Sequence, residues 1–131
     1  MTDSAPRQQL GLSEILQFVM ELASLFGIGL IGWNVVDRGI PGAILAVVMI
    51  IATGTVWGRF RTPGFVPTGR EPQNPVPGKV RIAIELTVFV IGIFGLWYGG
   101  YANTAVAVTV ALILMLIVAR DRYIALWFTN L

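Results

Sequence analysis

Apolar positions run almost unbroken through four stretches of this chain, and polar positions gather in the gaps between them. The stretches cover about residues 15–36, 40–58, 80–99 and 102–119. A helix needs about 20 mostly apolar residues to cross a hydrocarbon layer roughly 30 Å thick. Each stretch therefore predicts a membrane-spanning helix, and the pattern as a whole predicts an all-α membrane fold of four transmembrane helices.

The gaps say how the helices connect. Asp37-Arg38-Gly39-Ile40-Pro41 ends one helix on a glycine and opens the next with a proline near its first turn. Gly99-Gly100 ends the third helix, and Asn103 or Thr104 is placed to cap the fourth. Connections this short make antiparallel neighbours, so the natural unit is a helical hairpin, present twice. The long gap, residues 59–79, holds five of the seven prolines (Pro63, Pro67, Pro72, Pro75 and Pro77) and predicts a solvated, partly extended loop. Residues 1–131 thus read as a single integral membrane domain. After Arg120 and Arg122, Ile124, Trp127, Phe128 and Leu131 follow helical spacing, so residues 120–131 predict a short amphipathic tail at the membrane surface or beneath the bundle. A partner-binding helix is the other reading of the tail.

Composition agrees. The 131 residues are 56% hydrophobic and 12% charged, with mean hydropathy +0.78, against about 45–50% and about 25% in soluble domains. A net charge of +2 offers no basic surface for nucleic acid. The absence of cysteine and histidine removes disulfides, His-ligated haem, zinc fingers and His-based triads. No phosphate loop or nucleophile elbow is present, and none of the three serines has a base partner within reach by sequence. The expectation is a protein without catalytic activity, cofactor or metal.

Charge placement sets an orientation. Arg7, Arg59, Arg61, Arg70, Lys79, Arg81, Arg120 and Arg122 fall on the side of the termini and the central loop, and only Arg38 falls on the other. By the positive-inside rule both termini and the Pro-rich loop are cytoplasmic. The first eleven residues are polar without a basic leader, and no small-x-small cleavage site follows the first apolar run, which is read as retained.

The two hairpins also align with each other. Met20-Glu21-Leu22 matches Ile84-Glu85-Leu86, a tryptophan follows each Glu by twelve residues (Trp33 and Trp97), and Arg59-Phe60-Arg61 matches Arg120-Asp121-Arg122. An internal duplication would be parallel, with its pseudo-twofold axis along the membrane normal. Charged ends and interfacial tryptophans common to any hairpin are the alternative explanation.

Glu21 and Glu85 are the residues that need a reason. Each lies five or six residues inside its helix, about 8–9 Å from the inner end at 1.5 Å per residue. A charge at a helix centre costs about 2.5–3.5 kcal/mol on insertion, less near the ends. Arg59 and Arg120 close the antiparallel partner helices at a similar depth and are the expected partners. Either each Glu forms a structural ion pair, or the two carboxylates share a proton or bind a cation. Gly54-x-x-x-Gly58 and Gly95-x-x-x-Gly99 have the spacing for close helix packing, with Ala23-x-x-x-Gly27 a weaker version. Trp33, Tyr98 and Tyr101 at one end, and Trp57, Phe60 and Phe65 at the other, read as aromatic belts. Pro63-x-x-x-Pro67 and Pro72-x-x-Pro75 read as linker before polyproline ligand.

Three segments carry a family resemblance: Phe18-Val19-Met20-Glu21-Leu22-Ala23, Trp57-Gly58-Arg59-Phe60-Arg61-Thr62-Pro63, and Arg81-Ile82-Ala83-Ile84-Glu85-Leu86-Thr87-Val88-Phe89. They resemble the YrdB-like family, small four-helix bacterial membrane proteins with an uncharacterised domain. The resemblance spans roughly residues 14–122. It implies a bacterial cytoplasmic (inner) membrane location and importance for Glu21, Trp57, Pro63 and Glu85. It implies no activity.

Two functions remain in view. One is an accessory subunit or helix-packing module that binds the lipid bilayer and a membrane-protein partner or a second copy of itself. The other is a small dimeric proton-coupled transporter using Glu21 and Glu85. Its precedent is fold-level analogy to small four-helix exporters, and it lacks the broken, polar midplane helices such sites use.

Overall fold

A computed structural model describes residues 12–36, 38–65 and 72–130. Arg7 and Arg70, used above for orientation, lie outside the described residues, as do Asp37, Pro67 and Leu131. Among the described residues every regular element is helical: α1 (Leu12–Val35), α2 (Gly39–Arg59), α3 (Gly78–Tyr98), α4 (Ala102–Val118) and α5 (Arg120–Trp127). The first four lie within a few residues of the expected stretches, with α1 and α3 starting earlier.

Helices α1 and α3 form the central pair. The most extensive interface in the molecule lies between them, α2 packs on α1 and barely touches α3, and α4 leans on both α1 and α3. The reason is written in small residues. A Cβ at Gly27 would run into the backbone of Gly92, one at Gly95 into the backbone of Gly27, and one at Gly92 into the backbone of Ser24. The two helices therefore meet backbone to backbone, the arrangement that small residues allow where lipid supplies no hydrophobic drive. Gly32 sits likewise against Ala46, and Gly42 against the Trp33 backbone, to join α1 and α2. Gly54 and Gly58 face open space, and Gly99 abuts the Leu30 side chain, so of the two expected glycine pairs only Gly95 lies in a backbone-to-backbone helix contact.

The turns follow the chain chemistry. Arg38 at φ 30° and Gly39 at φ 66° reverse the chain between α1 and α2. Arg38 is a non-glycine in a costly region. Its side chain is tied back to Asn34 Oδ1 by two hydrogen bonds of 3.1 and 2.8 Å. Gly100 at φ 89° does the same between α3 and α4. The cap of α4 is Tyr101, with no side-chain hydrogen bond, in place of the expected Asn103 or Thr104.

Between α2 and α3 the described ends of the Pro-rich segment close on each other. Asn74 N–H donates to Arg59 O and Val76 N–H to Arg61 O, each at 3.0 Å. The tail then returns beneath α3. Gly78 N–H donates to Thr129 O at 2.9 Å, and a Cβ at Gly78 would overlap the Leu126 backbone.

Three helices, α1 to α3, are long and apolar enough to cross a membrane. Helix α4 has 17 residues, about 25 Å at 1.5 Å per residue, and the chain then bends by 68° into α5. Counting α4 and α5 as one broken span makes four. The buried core is thin (Met20, Phe89, Leu96 and Met115 at its centre), while Phe18, Ile44, Ile51, Phe94 and Val110 are exposed. Apolar side chains on the outside and in the core alike are what a bilayer, not water, would accommodate.

Candidate intramembrane ion cluster

Glu85 lies two turns into α3 and is fully buried. Arg81 is four residues earlier, on the same face of the helix by the 3.6-residue period, and is also buried. Its Nε donates to Glu85 Oε2 at 2.8 Å. The 68° bend after α4 brings α5 across the start of α3, and with it a second guanidinium. Arg122 donates Nη1 to Glu85 Oε1 at 3.0 Å and Nη2 to Oε2 at 2.8 Å, a two-pronged grip. Tyr123 OH donates to Oε1 at 2.8 Å. Each carboxylate oxygen thus accepts two hydrogen bonds.

Arg81 carries the cluster to α2. Its Nη1 donates to Trp57 O at 2.7 Å and Phe60 O at 3.0 Å, the carbonyls that the end of a helix leaves without partners. A cation is favoured there by the helix dipole as well. The guanidinium also lies 4.5 Å over the Trp57 ring, and that ring is 5.4 Å from Phe89. Trp57 is thus a buried support for the cluster and not part of an aromatic belt. Stripped of its partners, a buried carboxylate costs several kcal/mol. Here the penalty is met by two cations and a phenol, and the same side chains join α2, α3 and α5.

Glu21 is differently placed. It is half-buried on α1 and lines a cavity of about 60 Å³ with Leu25, Thr53, Gly54, Trp57 and Val88. Among the described residues it makes no hydrogen bond or ion pair. Thr53 Oγ1, the polar neighbour, is committed to Met49 O at 2.8 Å.

The expected partners, Arg59 and Arg120, are both exposed. Among the described residues Arg120 reaches only Ile117 O, at 3.3 Å, and Arg59 makes no side-chain bond to either glutamate. The groups that do meet Glu85 are Arg81, Arg122 and Tyr123. Arg81 was readable from its i, i+4 spacing. Arg122 and Tyr123 were not, because no proline or glycine marks the bend at Ala119 that swings them inward.

The arrangement can be set beside known proteins. Residues 15–119 match a family described as "Protein of unknown function (DUF2568)". The chain belongs to that family. Within the family match lie Glu21, Trp57, Arg81 and Glu85, whereas Arg122 and Tyr123 fall just beyond its end. A relative, "Uncharacterized protein YrdB" of Bacillus subtilis (strain 168), is 26% identical over 108 residues, covering 82% of this chain and 87% of that protein. No solved structure matches the chain.

Proposed function

We propose that this DUF2568 chain is a non-catalytic module of the bacterial cytoplasmic membrane, an accessory subunit that packs its helices against a membrane-protein partner. It crosses the bilayer four times as two hairpins, with α5 beneath the inner ends of the helices and both termini in the cytoplasm. The positive-inside count supports that orientation. The single observation that carries the reading is the saturation of Glu85. Its two oxygens accept four hydrogen bonds from Arg81, Arg122 and Tyr123. A carboxylate so committed is a fastener, and releasing it to carry a proton would cost the bonds that join three elements. Helix α2, in which only Gly42 and Trp57 are buried, leaves a long exposed face that supports a partner at that side.

A second reading has one observation in its favour. Glu21 lines a cavity and has no hydrogen-bond partner among the described residues, as a titrating group in a small dimeric proton-coupled transporter would. The parallel duplication of the two hairpins would then be functional asymmetry built on a repeat, with Glu85 locked and Glu21 free.

Purification from native membranes in mild detergent, followed by native mass spectrometry, separates the two. A reproducible complex with another membrane protein is the expected result. A lone homodimer whose proton-dependent efflux disappears in Glu21→Gln would replace this reading with the transporter.

A further inference from the structure

Helices α3, α4 and α5 border an open groove of about 340 Å³ at the bend, which shares Tyr123 with the ion cluster. Its walls are mostly apolar, from Ile82 and Leu86 on α3, Leu116 on α4, and Ile124 and Trp127 on α5, with the Tyr123 ring among them. Arg120 closes the groove at the bend. It is exposed and spends one nitrogen on Ile117 O at 3.3 Å, which leaves most of its donors free. A second cation, Lys79, places its Nζ 4.7 Å from the centre of the Trp127 ring. Asp121 follows Arg120 but does not line the groove.

A groove of hydrocarbon character with two cations at its margin matches one kind of molecule, a long apolar chain ending in a negative charge. It also opens beside Trp127 and Phe128, both exposed aromatics of the kind that settle at headgroup level. Basic residues between helices on the inner side of a bilayer recognise anionic headgroups. We propose that the α3–α4–α5 groove is a binding site for an anionic phospholipid, with an acyl chain between Leu86 and Leu116 and the negative headgroup held by the charge of Arg120 in the groove and of Lys79 over Trp127. The site rests on the membrane reading and on α5 lying at the inner surface. It does not depend on whether the protein is an accessory subunit or a transporter.

The test is native mass spectrometry of the detergent-purified protein offered equimolar phosphatidylglycerol and phosphatidylcholine, for wild type, Lys79→Ala/Arg120→Ala and Arg59→Ala. Each basic side chain near the headgroups contributes roughly fivefold to anionic-lipid binding. Phosphatidylglycerol is therefore expected to be retained about 25-fold over phosphatidylcholine in wild type and in Arg59→Ala, and at parity in the double variant. Rising salt should erode the wild-type preference, a readout that needs no variant to fold. Equal retention of the two lipids by wild type, or a preference that survives in the double variant or in high salt, would each overturn the site. If the membrane reading itself failed, the protein would stay soluble and monomeric without detergent, a result distinct from all of these.

Discussion

Arg122 grips both oxygens of Glu85, at 3.0 and 2.8 Å, across 37 residues of chain. The pair ties the short helix α5 to the central helix α3, and Arg81 extends the tie to the last turn of α2. A small bundle with a thin core gains most from such a fastener where glycines alone cannot hold a third helix in place.

Removing one member of the cluster should be severe. Glu85→Gln leaves the buried Arg81 and the half-buried Arg122 against a neutral amide, and breaking a buried pair costs roughly 3–5 kcal/mol. Thermal unfolding of the purified variant in detergent should show that loss, or no folded protein at all. Arg59→Ala and Arg120→Ala, at exposed positions, should stay within about 0.5 kcal/mol of wild type in the same assay.

Tyr123→Phe deletes a single donor to the carboxylate and keeps the ring. A hydrogen bond to a charged group is worth about 1.5–3 kcal/mol, so this variant should fold and unfold at a lower temperature, between wild type and Glu85→Gln. A shift as large as that of Glu85→Gln would mean that the phenol has a role beyond this bond.

Glu21→Gln should behave unlike Glu85→Gln. With no hydrogen bond to lose among the described residues, its effect on stability should be no more than about 1 kcal/mol. Matched unfolding curves of the two variants check this. Equal destabilisation would show that the two glutamates are structurally equivalent.

Alanine at the glycines gives a further contrast. Gly27→Ala and Gly92→Ala place a methyl into the opposing backbone and should separate α1 from α3, costing several kcal/mol or abolishing folding. Gly54→Ala and Gly58→Ala meet nothing within 4 Å and should be neutral or stabilising by up to about 1 kcal/mol through helix propensity. Expression level and thermal unfolding in detergent distinguish the two sets.

Much of this was visible in the chain before its fold. Long apolar runs leave little freedom about where helices lie, and Gly39 and Gly100 mark the reversals between them. Glu21 and Glu85 stood out because a charge among such residues demands a reason. What stayed hidden depended on direction. Spacing puts Gly54 and Gly58 on one face of α2, but it does not say that no helix packs against them, while Gly27, Gly92 and Gly95 lie in close helix contacts. Depth along the helix favoured Arg59 and Arg120 as partners. The bend after Val118 instead carries Arg122 inward and leaves Arg120 on the surface, and a turn made without proline or glycine leaves no mark in the sequence. Trp57 looked interfacial by its position near a helix end, yet the Arg81 guanidinium lies over it and buries it.

The central claim is that the Glu85 carboxylate fastens helices together, and a double-mutant cycle between Glu85 and Arg122 measures that directly. Unfolding free energies of wild type, Glu85→Gln, Arg122→Met and the double variant in one detergent give the coupling. The account predicts roughly 2–3 kcal/mol between the two positions, the range for residues in one buried network. A coupling below about 0.5 kcal/mol, the scatter of independent sites, would contradict it.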